Sequence, residues 1–417
     1  MHAVLSSIGT DGDVFPYIGL ADVLRRRGHR VTLVAADRYQ KTATDLDIEF
    51  VPMFTEPEML EVLSNPRMWH PLMGPQLMAK WGAKFLPRQY ELLDETCEDN
   101  SVLIASPGLL SARTLREKRK ISLVNLVLQP WMVRSNSAPP VMPAQLTLPA
   151  GLPAPVGTLY WRMFNLTGAV LIGGNLQRLR KPLDLPRVKQ VFDWWFSPDL
   201  VLGMFPDWYG PPQSDWRQKI ELCGFPMFDG QANRELPPET KAFCEAGPPP
   251  VAFTFGTGMM HAQRLFAMAV DACRAAGLRA ILLTAHGLQL SQPLPDSVHH
   301  CTYAPFALLF PLCSAVVHHG GIGTTAKALG AGVPQLILPF AYDQLDNGTR
   351  VKKLGVGNYI KPRHATVHRL ADLVRLIQDA DIIKRCRAIG KRLAESDALI
   401  AAAEKTEMFW ESRSTRP

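Results

Sequence analysis

One supersecondary unit occurs twice in the chain, and this repeat limits the possible folds more than any other feature. Residues 3–8 read as a buried strand, residues 9–13 as a loop, and residues 16–27 as a helix. Tyr17, Leu20, Ala21 and Leu24 fall at i, i+3, i+4 and i+7, which is one apolar face. Gly28 suits the left-handed position just past a helix end, and residues 31–35 form the next strand. The second copy runs from the strand 251–255 through the turn Gly256-Thr257-Gly258. A helix follows, bearing Leu265, Met268, Ala269 and Ala272, then Gly277 and the strand 280–283. Residues 25–36 and 274–285 share arginine, glycine, arginine, leucine and alanine in register. Each copy opens its own parallel sheet, which predicts an α/β chain of two Rossmann-like domains facing across a cleft.

The length agrees: 417 residues exceed what a single hydrophobic core supports. Between the copies, residues 227–250 carry Pro237-Pro238 and Pro248-Pro249-Pro250 without an apolar period. The expected division is a first domain at 1–226, a linker at 227–249, a second domain at 250–395 and a helical tail at 396–417. The net charge of +7 is dispersed, which suits an anionic ligand or an acidic lipid surface and argues against a nucleic-acid partner. Seven cysteines without a CxxC disfavour a disulfide framework and a structural zinc, as expected in a reducing cytoplasm. The most apolar stretch, residues 303–317, is broken by Pro305 and Pro311, so no membrane span is expected. A cytoplasmic protein with peripheral association at the inner membrane face fits these features.

Eight of nine tryptophans and ten of fifteen methionines precede the linker. Such side chains make adaptable apolar surfaces, so the first domain is expected to hold a hydrophobic partner. The irregular, Trp-, Met- and Pro-rich segments 68–85 and 146–172 are expected to wall its pocket, with Trp69, Trp81 and Trp131 as acceptor-binding candidates.

In residues 315–339 a strand runs into His318-His319-Gly320-Gly321-Ile322-Gly323-Thr324, a short helix and a second strand. Glycines let the backbone approach a ligand closely, and free amides at a helix start favour a phosphate. Thr324 is expected to cap that helix. His319 adds a neutral or cationic donor suited to a departing diphosphate, and His318 either orients it or touches phosphate itself.

Tyr303-Ala304-Pro305, the His319–Thr324 loop, Ala331-Gly332-Val333-Pro334 and Asp343-Gln344 together resemble the donor signature of the nucleotide-sugar-dependent glycosyltransferases of family 1. Gly12-Asp13-Val14-Phe15-Pro16 and Gly224-Phe225-Pro226 extend the likeness along the chain. It is most similar to lipid-directed members such as the rhamnolipid rhamnosyltransferase and the sterol glucosyltransferases. The resemblance implies the glycosyltransferase-B fold and a nucleotide diphosphate sugar as co-substrate, with no resident cofactor and no metal. It also implies an inverting transfer of a hexosyl group, from UDP-glucose or a dTDP-sugar, to a hydroxyl of a hydrophobic small-molecule or lipid acceptor. By the same resemblance Tyr303 stacks on the base and Thr257 contacts phosphate. His319, Gly321, Gly323 and Thr324 cradle the diphosphate, with His318 beside them, while Asp343 and Gln344 bind sugar hydroxyls. Lys327 stands where plant members carry a ribose-binding glutamate.

Inverting transfer needs a base for the acceptor hydroxyl, and Asp13, in the loop at a strand's carboxyl end, is the candidate. A carboxylate near pH 4 is a weak base, so burial must raise its proton affinity. Capping the helix that follows is the other use of such an aspartate. Asp11 and Asp13 also spell DxD, a pattern common in turns, and no metal is expected there. Two further function classes were weighed. A dinucleotide-dependent oxidoreductase would need GxGxxG after the first strand, which residues 9–13 lack. A noncatalytic lipid- or partner-binding homologue would have no need of the cradle and Asp13.

Overall fold

The computed structural model describes residues 1–230, 235–290 and 293–414. Residues 231–234 of the expected linker and 415–417 of the expected tail lie outside them. The first lobe holds β1 (His2–Ser6), β2 (Arg30–Ala36), β3 (Glu49–Phe54), β4 (Val102–Ala105), β5 (Ser122–Val127), β6 (Leu200–Gly203) and β7 (Glu221–Leu222). Their order is β3-β2-β1-β4-β5-β6-β7, and every pairing is parallel. The second lobe holds β8 (Val251–Thr254), β9 (Ala280–Leu283), β10 (Val298–Cys301), β11 (Ala315–His318), β12 (Gln335–Ile337) and β13 (Gly357–Tyr359). Their order is β10-β9-β8-β11-β12-β13, again all parallel. These are the two Rossmann-like sheets of the glycosyltransferase-B fold.

The central strands β1, β4, β8 and β9 are short apolar runs buried along their length, as parallel strands covered on both faces by helices must be. In each sheet the first strand is the point where the order reverses, with β1 between β2 and β4 and β8 between β9 and β11. A crevice opens outside the carboxyl ends of the strands at such a point, so the loops after β1, β8 and β11 are fixed as its lining. Gly28 and Gly277, matched in the sequence repeat, both take positive φ, +90° and +67°.

Three elements differ from the sequence expectation. The first helix begins at Asp11 rather than Pro16, because Thr10 and Asp13 close a capping box around its start. The proline-rich linker contains a helix, Pro238–Glu245, since proline is tolerated in a first turn. Its buried Thr240 meets His299 of β10 at 3.0 Å. The chain's end divides: the helix Ala380–Ala394 stays on the second lobe, with Gly390 against Gly330 and Gly332, whereas the helix Ala398–Ser414 returns to the first. There Glu407 accepts from Arg27 at 2.8 Å and lies 2.7 Å from His29, and Lys405 pairs with Glu221 at 3.1 Å. Leu399, Ala402 and Ala403 are buried in the first lobe's core. This helix therefore straps the lobes together. Ala402→Glu puts an unpaired carboxylate into that contact, and a loss of about 3 kcal/mol is expected in urea unfolding.

Candidate active site

A cavity of about 860 Å³ lies between the lobes, lined by the loops after β1, β8 and β11 and by aromatic segments of the first lobe. Its second-lobe wall is built on the helix Ile322–Gly330. Gly321, not Thr324, is the capping residue; no side chain caps the helix start, and Thr324 sits inside the first turn. The early amides of this helix are thus left for a ligand, with the positive end of its dipole behind them. Gly321, Gly323 and Thr324 all line the cavity, as do His319 and Thr257.

His318 does not. It is fully buried, its Nε2 lies 2.9 Å from Gln335 Oε1, and its Nδ1 accepts the Gly320 N–H at 3.1 Å. Both ring nitrogens are used, so it shapes the loop and has nothing left for a phosphate. His319 keeps Nδ1 without a protein partner, and burial lowers its pKa to about 4, so its imidazole is neutral. The ring is therefore uncharged, and it also bonds the Thr254 backbone.

Asp343 is buried behind the cradle, where Oδ2 accepts from Asn347 Nδ2 at 2.6 Å. Gln344 spends Oε1 on the Phe340 and Ala341 amides at 2.7 and 3.1 Å, which leaves its amide nitrogen as the group it can offer. At the far end Tyr303 lines the cavity and donates to the Asp229 carbonyl at 3.4 Å. Lys327, out of place as a ribose contact, is paired with Asp229 at 2.9 Å and donates to the Met227 carbonyl. Asp229 also accepts the Ala307 amide at 2.8 Å. Residues 227–229 of the expected linker therefore close one end of the second-lobe wall.

Across the cavity stands Asp13. Its Oδ2 accepts the Thr10 amide at 3.0 Å, the capping bond that was the alternative use of this residue, and the other carboxylate oxygen has no protein partner among the described residues. Burial raises its pKa to about 6 against the lowering effect of the Thr10 bonds. Asp343 is raised further, to about 7, by burial and by the negative charge of Asp13. Two carboxyl groups from opposite lobes thus share one poorly solvated space. Asp11, the other acid of the DxD pattern, is held by Tyr39 at 3.0 Å and Arg38 at 3.5 Å.

The lobes meet in backbone contact. A Cβ on Gly323 would sit 3.2 Å from Gly12 Cα, so a side chain at Gly323 would press against the Asp13 turn, whereas a Cβ on Gly12 would meet Gly323 N at an ordinary 4.0 Å. Trp69 belongs to this seam: its ring stands edge-on to His319 and Tyr342, at centroid distances of 6.5 and 6.2 Å. Trp131 lines the apolar half with its indole N–H unpartnered. Trp81 touches the cavity but packs between Phe54 and Phe85 and gives its N–H to Glu58, so it is chiefly a core residue. Segment 68–85 walls the pocket as expected; of segment 146–172 only Ile172 reaches it.

Asn347 and Tyr209 were not singled out in the sequence. Asn347 donates to Asp343 and to the Gly320 carbonyl at 2.8 Å, and accepts from Tyr209 of the first lobe at 2.8 Å. Its position four residues after Asp343, one helical turn on, was the signal available.

Two family models match. The glycosyltransferase family 28 N-terminal domain covers residues 3–136, and the erythromycin biosynthesis protein CIII-like C-terminal domain covers residues 277–405. A sterol 3-beta-glucosyltransferase of Arabidopsis thaliana is 27% identical over 97% of this chain, and one of Yarrowia lipolytica is likewise 27% identical over 97%. The chain spans 65% of the first and 28% of the second. Among solved structures, the calicheamicin glycosyltransferase CalG4 superposes with a TM-score of 0.71 at 18% identity, covering 98% of both chains. The glycosyltransferase VinC in complex with dTDP gives 0.70 at 18%, covering 99% of this chain and 100% of that one.

Gly323→Val is expected to separate the cradle from the Asp13 turn and lower kcat/KM for any reaction at this site by about 100-fold, because small misplacements of reacting groups are costly. Steady-state kinetics beside a melting curve checks this, since the melting temperature should barely change.

Proposed function

We propose that this chain, a relative of the sterol glucosyltransferases within family 1 of the glycosyltransferases, moves a hexosyl group from a nucleotide diphosphate sugar to a hydroxyl of a hydrophobic acceptor such as a sterol or other lipophilic natural product. One observation carries the reading. A free helix start with its neutral histidine and a carboxylate of raised pKa face each other across one cavity, held together by the Gly12–Gly323 contact. The first suits a departing diphosphate and the second suits a base.

In this reading the Ile322, Gly323 and Thr324 amides and Thr257 hold the diphosphate, and His319 gives it a ring N–H as its charge grows, a bond assisted by the charge of the acceptor. Tyr303 stacks on the base. The dTDP bound by VinC and the sterol glucosyltransferase names bracket the donors to try first, dTDP- and UDP-hexoses. Asp343 and Gln344 bind sugar hydroxyls, Asp343 through its carboxyl group and Gln344 through its amide nitrogen. The acceptor lies on the apolar side, along Met78, Leu86 and Trp131. Asp13 takes the proton of its hydroxyl while that oxygen attacks the anomeric carbon from the face opposite the diphosphate, so the configuration inverts. Water is kept from the donor by the seam at Trp69.

The test is product formation from a panel of UDP- and dTDP-hexoses with a sterol or hydroxylated lipid, read by mass. Asp13→Asn should cut transfer by about 10³-fold with donor affinity unchanged, and equal losses of both would remove it as base. Because Asp13 must be ionised in the free enzyme, kcat/KM should rise with pH and level off above about 6, the limb disappearing in the Asn variant. His319→Ala should weaken nucleotide diphosphate binding about tenfold by calorimetry, since a charge-assisted hydrogen bond is lost.

A further inference from the structure

The helix Ala154–Leu171 is amphipathic the wrong way round. Its inner face is Gly157, Trp161, Asn165 and Gly168. The Trp161 indole donates to Asn136 at 2.9 Å and Asn165 donates to Asp193 at 3.0 Å. Its outer face is Val156, Leu159, Met163, Leu166 and Val170, which are 46 to 84% exposed. Spacings of three and four residues make these five one continuous stripe along a helix about 27 Å long. Leu72 and Met73, beside and at the start of the packed helix Met73–Lys84, are exposed as well. A helix selected to face water would bury its leucines and expose its asparagine, so the outer face is built for a medium other than water.

The surrounding charge says which medium. Residues 136–190 contain six arginines and lysines against one acid, Asp184. Arg180 is buried and paired with Glu117, whereas Arg162, Arg178, Lys181, Arg187 and Lys189 are exposed. An apolar stripe in a field of one sign fits a phospholipid bilayer with anionic headgroups, with the helix lying in the interface and the cations among the phosphates. A second copy of the chain would bring the same cations against each other. The stripe also leads to the site: Ile172, next in the chain after this helix, lines the cavity. We propose that the helix Ala154–Leu171 docks the first lobe on an anionic membrane surface and sets the apolar half of the cavity beside the lipid that supplies its acceptor. The purpose of this surface rests on the transfer proposed above. Vesicle binding needs no transfer, so the two readings can fail separately.

The experiment is co-sedimentation of the full chain with phosphatidylcholine vesicles, with and without phosphatidylglycerol, at low and high salt. Binding is expected only with phosphatidylglycerol and is expected to fall with salt. The double variant Leu159→Gln/Leu166→Gln and, separately, Arg178→Glu/Lys181→Glu should each lower partitioning about tenfold or more. Their melting temperature and calorimetric affinity for dTDP or UDP should stay those of the parent, because all four side chains are exposed and outside the cavity. The proposal is overturned if the parent stays in the supernatant with every vesicle, or if either variant sediments as well as the parent. It is equally overturned if the apolar variant converts a dimer to a monomer by light scattering while vesicle binding is unchanged.

Discussion

The approach of two glycine backbones, Gly12 on the first lobe and Gly323 on the second, is the contact on which the site depends. Neither sheet alone makes an active site. Each supplies a crevice at the switch point of a parallel sheet, and each crevice holds half of what the chemistry needs. One has a carboxylate beside apolar side chains; the other has a helix start with unused amides. Only where no Cβ intervenes can the two halves share one poorly solvated space, and only there does burial turn Asp13 into a group that titrates near neutrality. The strap made by the helix Ala398–Ser414 has the same logic, since it starts from the second lobe and is buried in the first.

Polarity in the cavity is set by hydrogen bonds from behind the visible surface. His318 uses both nitrogens to fix the loop that carries His319. Asn347 holds Asp343, the Gly320 carbonyl and Tyr209 at once, tying this wall of the second lobe to the first. Asp229 neutralises Lys327 at the Tyr303 end of the cavity. In a low-dielectric cleft each such bond removes a buried, unsatisfied group that would otherwise cost on the order of 1–3 kcal/mol.

The repeat and the Gly-rich loop are legible because each is a local pattern with a mechanical cause, whereas Asp343-Gln344 stands out only through its likeness to a family signature. Strand burial, helix period and glycine turns act over a few residues. The errors were of a different kind. The first helix starts five residues before Pro16 because the Thr10/Asp13 capping box closes around its start, and Gly321, not Thr324, holds the cap position of the helix after β11. Of the two uses open to His318, fixing its neighbour or touching phosphate, the structure gives the first, because the side chain is buried at the end of β11 with both ring nitrogens bonded. Segment 146–172 was assigned to the pocket wall on composition. Composition reports apolar content; it does not report which way a helix turns its stripe.

The sequence by itself determined two parallel α/β lobes and the glycine-rich turn after β11, since these follow from short-range periodicity and backbone permissiveness. The tertiary structure decided the rest. It set Asp13 opposite the cradle, raised its proton affinity and that of Asp343, spent His318 on the loop and turned the apolar face of the helix Ala154–Leu171 outward. All of these depend on burial, and desolvation is a property of the packed surroundings that no local run of residues encodes.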